Sequence, residues 1–306
     1  MHPIKETPSI SIIIATYRRS SFLIHVLERL CQQNLQPMEV FVVDASPLEE
    51  QIVPDILVRF PSWLNYVVFD EGPGNASAQR NNAIRRSNGD IILFLDDDVD
   101  FSDNMLEAYI NAFNQTGADA IAGRISIPGK QLETKIPITK FAGMVHHPGA
   151  PNYITCDFSV ETYVVCTANF AVQRGCLFNV GGFDEQIFGT IEDVDLGLRL
   201  TRNGYMVLHY PVPHIVHFMA SNSGARSENY KLEWSLSNVF YFQFKNFPEK
   251  RQSILLWDTV WNYCRPSRLW LKPVTILERF RSIKKAYRTA LERITKGPIY
   301  ITERQL

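Results

Sequence analysis

Short apolar runs recur along the first half of the chain and alternate with stretches of helical character. Five runs have the length and the Ile, Val, Leu and Phe content of buried strands: 10–15, 40–44, 66–69, 90–98 and 118–125. Helices are predicted between them, at 20–34, 48–60, 75–89 and 105–113. Near-continuous apolar strands that alternate with helices predict an α/β fold with a mostly parallel central sheet flanked by helices.

Four residues indicate where the predicted helices should begin, break or end. Ser20 or Ser21 is the expected N-cap of the first helix, because a hydroxyl oxygen accepts hydrogen bonds from the first turn. Pro54 is expected to break the second helix. Gly89 is expected to close the third helix, because glycine adopts the left-handed conformation that ends many helices.

Polar residues follow three of the predicted strands directly. Thr16 follows the first strand, Asp44 ends the second, and Asp96 to Asp98 end the fourth. Open parallel sheets bind their ligands beyond the carboxyl ends of the strands. These residues therefore predict one ligand site at this edge of the sheet.

The three adjacent carboxylates of Asp96, Asp97 and Asp98 carry the strongest chemical signal. They repel one another, and ending a buried strand with them is costly unless a cation compensates their charge. Oxygen ligands of this kind suit Mg²⁺ or Mn²⁺, and such ions usually also bind phosphate. A solvated acidic loop is the plainer alternative.

A calcium-binding loop is a second alternative for the same segment. Asp96, Asp98, Asp100 and Glu107 have the spacing of ligands in an EF-hand loop. Phe101 stands where that loop needs glycine, and the preceding segment is predicted as a strand rather than a helix. Both features disfavour the calcium loop.

A second group of acids, Glu192, Asp193 and Asp195, occupies the first turn of a predicted helix. Acids at a helix N-terminus are favoured by the helix dipole, and Thr190 with Asp193 has the spacing of a capping box. A carboxylate fixed at a helix start can also act as a general base toward a hydroxyl. The local pattern allows both interpretations.

The C-terminal region differs from the rest of the chain in charge and in pattern. The whole chain of 306 residues has a formal net charge of -1, whereas residues 265–296 contain ten basic and two acidic residues. Helices are predicted at 228–246, 250–263 and 273–294. The last is either a helix packed on the catalytic domain or a basic amphipathic helix that binds an anionic membrane surface. Nucleic acid is not expected among the partners.

The five cysteines show neither a CxxC pair nor the spacing of metal ligands. Free thiols in a reducing compartment are therefore expected. The first residues lack the apolar region of a signal peptide, and no stretch approaches the roughly 20 apolar residues that span a bilayer. We expect a cytoplasmic protein, with the inner membrane face as the site of any peripheral binding.

Five motifs in order resemble glycosyltransferase family 2, whose fold is of the GT-A type. They are SIIIATYRR, VVDAS, GNASAQRNNAI, FLDDDVDF, and GGFDE followed by EDVDLGLRL. The resemblance covers roughly residues 10–220. It predicts a GT-A catalytic domain over 1–225 and leaves 226–306 as a helical, basic extension.

The resemblance implies an inverting, metal-dependent hexosyltransferase-type enzyme that uses Mn²⁺ or Mg²⁺. The donor would be a UDP-, dTDP- or GDP-linked sugar. The acceptor would be a hydroxyl of a saccharide or of a lipid-linked saccharide, as in surface polysaccharide biosynthesis. The sequence decides neither the sugar, the nucleobase nor the acceptor.

The resemblance also assigns roles to individual residues. Asp193 would be the general base, and Glu192 would shape the acceptor site. Asp98 and His217 would bind the metal, with Asp96 or Asp97 assisting. The donor site would comprise Thr16, Tyr17, Arg18, Asp44, Arg80, Asn81, Asp96 and Asp97.

Three other functions fit the sequence less well. A nucleotidyltransferase such as a sugar-nucleotide pyrophosphorylase usually has a glycine-rich basic loop after the first strand, and ATYRRSSF contains no glycine. A catalytically inactive nucleotide-sugar-binding protein would not need both Asp98 and Asp193. An NAD-dependent enzyme is disfavoured because no GxGxxG follows a strand.

Overall fold

The computed structural model describes residues 7–52, 57–70, 74–129, 139–141, 144–146, 159–187, 189–218, 232–248 and 273–301. The helix predicted at 250–263 and the expected domain boundary at residue 225 lie outside the described residues. So does the start of the basic region, residues 265–272.

The described residues form eleven strands: β1 (Ile10–Thr16), β2 (Glu39–Asp44), β3 (Leu64–Val68), β4 (Ile91–Leu95), β5 (Val99–Phe101), β6 (Ala120–Ser126), β7 (Thr139–Phe141), β8 (Met144–His146), β9 (Val160–Glu161), β10 (Asn169–Gln173) and β11 (Val207–His217). Nine of them form one sheet in the order β3-β2-β1-β4-β10-β6-β11-β5, with β9 paired to β11. Strands β7 and β8 pair separately.

Seven α-helices accompany the strands in the described ranges: α1 (Ser20–Cys31), α2 (Ala76–Ile84), α3 (Met105–Thr116), α4 (Arg174–Asn179), α5 (Glu192–Arg202), α6 (Leu232–Asn246) and α7 (Pro273–Lys296). A three-residue 3-10 helix, Leu48–Glu50, follows β2. The predicted α/β fold with a central sheet flanked by helices is confirmed.

The sheet is mixed rather than mostly parallel. The β1–β2, β2–β3, β1–β4 and β6–β11 pairs are parallel, as the strand–helix alternation predicts. Strand β10 runs antiparallel between β4 and β6, and β5 and β9 run antiparallel to β11. These strands are short and follow loops, so the alternation does not reveal them.

Two predicted helix boundaries are wrong. Arg19, not Ser20 or Ser21, is the N-cap of α1, and the Ser20 hydroxyl donates to the Glu50 carbonyl oxygen at 2.6 Å. Helix α2 ends at Ile84 rather than at Gly89. Gly89 lies against β1, where a Cβ atom would come within 2.5 Å of Ser11 Oγ.

The helix predicted at 48–60 is interrupted in its described part. Leu48–Glu50 forms a 3-10 turn, residues 51 and 52 are not helical, and Leu57 is helical again. Pro54 lies outside the described residues. A local apolar pattern does not reveal this interruption, where Ile52 N–H donates to Tyr66 Oη of β3 at 3.2 Å.

Alternate residues of β1 enter two apolar clusters, one on each face of the sheet. Ile12 and Ile14 lie in one cluster with Leu23 and Leu27 of α1. Ile13 lies in the other, which includes Ile84 of α2. This period of two is what a strand covered on both faces requires.

The C-terminal helices belong to the same core. Phe240 and Phe244 of α6 are in the cluster that contains β1, and both contact Tyr287 of α7, with ring centroids 6.0 and 5.4 Å apart. Beyond α7, Ile301 N–H donates to the Gly181 carbonyl oxygen at 2.9 Å. The extension is therefore attached directly to the segment that precedes α5.

Candidate active site

The three carboxylates after β4 lie in different environments. Asp97 and Asp98 are buried, with 3% and 2% of their surface exposed, whereas Asp96 is partly exposed. Thr16 Oγ1 donates to Asp97 Oδ2 at 2.7 Å. Burial raises the pKa of Asp97 to about 6, although Arg19 and Thr16 lower it. Two buried, hydrogen-bonded carboxylates exclude the solvated acidic loop.

Three side chains converge as a candidate cation site. One potential ligand atom from each of Asp96, Asp98 and His217 lies within 4.8 Å of the others. His217 Nε2 is 2.9 Å from Asp98 Oδ1 and 3.7 Å from Asp96 Oδ2. Two carboxylates with one imidazole are a donor set that suits Mn²⁺, and the carboxylates alone suit Mg²⁺. The residues therefore fit the implied ion.

Strand pairing explains how a residue so distant in sequence reaches the site. The last residue of β11, His217, pairs with Val99 of the antiparallel strand β5, directly after Asp98. Phe218 N–H then donates to the Asp98 carbonyl oxygen at 3.0 Å. The imidazole is thus fixed beside Asp98 by backbone pairing.

The ligand set of an EF-hand does not assemble. Asp100 accepts from Arg29 Nε at 2.9 Å, and Glu107 of α3 accepts from Asn34 Nδ2 at 3.3 Å. Asp98 instead contacts His217. The calcium-loop alternative is therefore excluded.

The carboxylate of Asp44 is held at the end of β2 by two donors. Ser46 N–H donates to Oδ1 at 2.7 Å, and the Tyr66 hydroxyl donates to Oδ2. Arg18, at the end of β1, has a left-handed backbone with φ 57°, and its N–H donates to Ser46 Oγ at 2.7 Å. The Arg18 guanidinium lies 5.2 Å from the ring of Tyr17. These residues form one wall beside the Thr16 end of β1.

Arg80 of α2 connects the two groups of acids. Its Nη2 lies 3.5 Å from Asp96 Oδ1, and its Nη1 lies 3.5 Å from Glu192 Oε1. The guanidinium is buried and lies 5.5 Å from the ring of Phe183. One buried cation therefore lies between the candidate cation site and the start of α5.

Asn81 does not join the donor-site residues at the carboxyl edge of the sheet. It is fully buried, and its Nδ2 donates to the Phe183 carbonyl oxygen and to Glu185 Oε1, both at 2.9 Å. Its Oδ1 accepts from Phe183 N–H at 2.9 Å. Asn81 thus holds the segment before α5 against α2.

The capping box predicted at the start of α5 does not form. Ile191, not Thr190, is the N-cap, and its side chain makes no capping hydrogen bond. Thr190 Oγ1 accepts instead from Asn238 Nδ2 of α6 at 3.1 Å. Ile191 has φ 68°, a conformation that strains a β-branched residue and that persists mainly at functional sites.

The acids of α5 differ in their partners. Asp195 is fully buried and pairs with Arg199 Nε at 2.9 Å and Lys245 Nζ at 2.7 Å. Burial alone would raise its pKa, but these two cations outweigh burial and lower it. Asp193 pairs with neither cation, and desolvation followed by the adjacent Glu192 carboxylate raises its pKa to about 7. Glu192 Oε2 is buried without a hydrogen-bond partner.

The sequence model described as Glycosyl transferase family 2 matches residues 11–174, more than half of the chain. The chain belongs to this family. The match covers the residues at the carboxyl ends of β1, β2 and β4, which carry the candidate donor and cation sites. Glu192, Asp193 and His217 lie beyond it.

Named relatives of this family member act in the synthesis of surface polymers. The chain is 24% identical over 241 residues to the O-antigen biosynthesis protein RfbC of Myxococcus xanthus. This alignment covers 73% of the chain and 18% of RfbC. It is 21% identical over 235 residues to the amylovoran biosynthesis glycosyltransferase AmsB of Erwinia amylovora, 74% of this chain and 75% of AmsB. The chain thus spans about a fifth of RfbC and three quarters of AmsB.

A solved structure supports the GT-A type fold. TarS of S. aureus superposes with a TM-score of 0.54 at 15% identity, over 93% of this chain and 55% of that chain.

Three residues that contact the site were not predicted from the sequence: Arg19, Tyr66 and Lys245. Each contacts a carboxylate at least 22 positions away in the chain. Arg19 contacts Asp98, Tyr66 contacts Asp44, and Lys245 contacts Asp195. No local pattern identifies such a partner. Knowing that β2 and β3 pair in parallel would have placed Tyr66 beside Val42, near the Asp44 end.

Proposed function

We propose that this family 2 glycosyltransferase moves a sugar from a nucleotide-sugar donor to a hydroxyl of a saccharide or lipid-linked acceptor, with inversion. The observation that carries the proposal is the position of Asp193. Its carboxylate has a raised pKa and lies at the start of α5, while Arg80 bridges the neighbouring Glu192 to Asp96 of the cation cluster. A base and a phosphate-type site side by side are what glycosyl transfer needs.

The wall that carries Asp44 is proposed to hold the nucleoside. Tyr17 and Arg18 belong to the same wall, and Thr16 lies beside it. A carboxylate oxygen accepts hydrogen bonds, so Asp44 is suited to accept from the ring N–H that uracil, thymine and guanine present at their pairing edge. This supports a UDP-, dTDP- or GDP-linked donor.

The diphosphate is proposed to lie between Arg80 and the cluster of Asp96, Asp98 and His217. These three residues would hold a Mn²⁺ or Mg²⁺ ion. When bound, that ion neutralises the charge of the departing nucleoside diphosphate. Asp97 would orient Thr16, and Asn81 would act indirectly by fixing the segment before α5.

Asp193 is proposed to accept the proton of the acceptor hydroxyl. The hydroxyl oxygen attacks the anomeric carbon, the bond from that carbon to the diphosphate oxygen breaks, and the nucleoside diphosphate leaves on the opposite face. Glu192 Oε2, which has no partner, is free to accept a hydrogen bond from a neighbouring acceptor hydroxyl. Arg80 holds the other Glu192 oxygen and thereby fixes its direction.

The process is proposed to be the synthesis of a surface polysaccharide, which is supported by the names of the relatives RfbC and AmsB. Cys31, Cys166 and Cys176 are free thiols, which supports a cytoplasmic location. No helix in the described ranges has both the length and the apolar character needed to cross a membrane.

Peripheral binding to an anionic membrane through α7 belongs to the same proposal. Arg281, Lys284, Lys285 and Arg288 are exposed and share one face of the helix, at positions i, i+3, i+4 and i+7. The opposite face packs on α6 through Tyr287. The apolar side is therefore used in folding, and binding would be electrostatic rather than by insertion.

The nucleotidyltransferase alternative is disfavoured by the family match, and an inactive binding protein would not need a base of raised pKa. Calorimetric titration with UDP, dTDP and GDP in Mn²⁺ or in EDTA tests the donor site. We expect one of them to bind and to require Mn²⁺. Failure of all three to bind in either buffer would contradict the proposed function.

The variant Asp98→Asn should remove the Mn²⁺-dependent part of that binding. Losing an outer-shell partner of a metal costs about 10–100-fold in affinity, so losing a direct ligand should cost at least that much. Asp100→Asn is the matched control. Asp100 is two residues after Asp98 in the chain, but it pairs with Arg29. Unchanged Mn²⁺-dependent binding in Asp98→Asn would refute the ligand assignment.

A further inference from the structure

One guanidinium bridges two buried carboxylates that follow β4. Arg19 Nη1 lies 2.9 Å from Asp97 Oδ1 and 3.1 Å from Asp98 Oδ2. The side chains are 14%, 5% and 1% exposed, respectively. The contact is therefore shielded from solvent and from salt screening, unlike an ordinary surface pair.

The backbone around Arg19 is firmly fixed. Arg19 is the N-cap of α1, and its carbonyl oxygen accepts from Leu23 N–H at 3.0 Å. The residue before it, Arg18, has a left-handed backbone with φ 57°, a conformation that is unfavourable for residues other than glycine. The turn that positions Arg19 beside the carboxylates therefore contains local backbone strain.

Arg19 and the candidate cation site share one carboxylate. Oδ2 of Asp98 contacts Arg19, while Oδ1 of Asp98 contacts His217. A cation held by Oδ1 would lie within a few ångström of a fixed positive charge. Like charges at this separation oppose each other strongly when little water intervenes.

Arg80 also contacts a proposed metal ligand, Asp96, but over a longer distance than the Arg19–Asp98 contact. It lies 3.5 Å from Asp96 and from Glu192, and it makes its contacts on the side of α5. It does not pair with Asp98. Arg19 therefore contacts the buried ligand candidate, Asp98, whereas Arg80 contacts the partly exposed one, Asp96.

We propose that Arg19 is a built-in counter-charge of the cation site: it neutralises Asp97 and Asp98 and weakens the binding of a free divalent ion. This inference rests on the proposed function. The negatively charged diphosphate of the donor offsets the guanidinium charge, so the ion binds firmly only together with the nucleotide. Arg19 thereby couples metal binding to donor binding.

Titration with Mn²⁺ alone tests the proposal, with free Mn²⁺ followed by its electron paramagnetic resonance signal. Arg19→Gln should bind Mn²⁺ at least roughly 5-fold more tightly than the unaltered protein, the lower end of typical coupling between sites. Arg19→Lys keeps the charge and should bind Mn²⁺ as the unaltered protein does. Arg29→Gln is the control, because Arg29 is on the same helix but pairs with Asp100 and Asp103.

Thermal unfolding supplies a second readout that does not depend on activity. Arg19→Gln should melt well below the unaltered protein in EDTA, because Asp97 and Asp98 lose their counter-charge. The difference should shrink in Mn²⁺, as linkage to tighter metal binding requires. If Arg19→Gln does not fold in EDTA, recovery of folding in Mn²⁺ supports the proposal, and failure to recover contradicts it.

Equal or weaker Mn²⁺ binding by Arg19→Gln would overturn the proposal, and Arg19 would then be a residue that orients Asp98. If neither protein binds Mn²⁺, the proposal also fails. Repeating the titration with saturating UDP, dTDP or GDP separates this failure from that of the proposed function. Nucleotide binding without the expected Arg19 effect refutes only the counter-charge, whereas absence of nucleotide binding refutes the donor site.

Discussion

At the scale of single residues, the structure divides similar side chains by their partners. Asp195 is neutralised by two buried cations, whereas Asp193, two positions earlier on the same helix, pairs with neither of them and has a raised pKa. The sequence places both acids in one helical turn and offers no reason to prefer one. The difference arises from Lys245, which approaches from α6.

Tyr66 gives a residue-scale prediction. Its hydroxyl donates to Asp44 Oδ2 and accepts from Ile52 N–H, so it should orient the carboxylate that we propose to contact the base. Tyr66→Phe should weaken binding of the preferred nucleoside diphosphate by a few-fold to about tenfold, the value of a typical hydrogen bond. The rate at saturating donor should be unchanged. Calorimetry and steady-state kinetics measure the two effects.

Tyr210→Phe is the matched control for this variant, because the Tyr210 hydroxyl contacts Gln115 at 3.0 Å in an exposed position. Equal nucleotide affinity in Tyr66→Phe and Tyr210→Phe would show that Tyr66 does not act through Asp44.

At the scale of elements, predictions succeeded where a short apolar run determines the structure. All five predicted strands form, and the carboxyl ends of β1, β2 and β4 lie along one edge as parallel pairing requires. The strand–helix alternation does not predict the antiparallel strand β10, because this strand is short and follows a loop. The start of α5 was misassigned because Thr190 bonds to Asn238, a tertiary contact, instead of capping its own helix.

The junction between α5 and α6 gives an element-scale prediction. Lys245 Nζ lies 2.8 Å from Asp184 and 2.7 Å from Asp195, both fully buried. Lys245→Met would leave two buried carboxylates short of one cation, and breaking a buried pair costs about 3–5 kcal/mol. Chemical denaturation measures the loss in the free energy of unfolding.

Lys285→Met is the control for Lys245→Met. Lys285 pairs with Glu233 at 2.9 Å but is 71% exposed, and exposed pairs contribute about 0–1 kcal/mol. If both variants lose the same stability, α6 does not anchor α5 through Lys245.

At the scale of the whole molecule, charge is unevenly distributed. The chain has a net charge of -1, yet α7 carries an exposed basic face that includes four residues between positions 281 and 288. Replacing Arg281, Lys284, Lys285 and Arg288 by Gln should reduce sedimentation with anionic liposomes, since each basic residue near such a surface contributes about 1 kcal/mol. Binding of the unaltered protein should fall with added salt and should be absent with neutral liposomes.

Arg59→Gln with Arg86→Gln removes exposed charges elsewhere and is the control for α7. If the α7 variant sediments as the unaltered protein does, or if neutral liposomes bind equally, α7 does not direct membrane binding. Its basic face would then serve solubility alone.

The central claim is that Asp193 is the base of a glycosyl transfer. Asp193→Asn preserves the size of the side chain but cannot accept a proton. We expect it to bind the nucleoside diphosphate normally and to transfer sugar at least about 10²-fold more slowly. In the unaltered protein, transfer should rise as the pH increases through about 7, because only the ionised carboxylate can take the proton.

The most direct measurement is therefore the transfer rate of both proteins from the donor that calorimetry identifies, with a lipid-linked saccharide fraction as acceptor. The account predicts transfer by the unaltered protein and its loss in Asp193→Asn, with equal nucleotide affinity and no lower thermal midpoint at pH 8. The thermal midpoint of Asp193→Asn should equal or exceed that of the unaltered protein. The reason is that a raised pKa means that the ionised Asp193 carboxylate destabilises the folded state above pH 7. A near-normal transfer rate in Asp193→Asn would contradict the account.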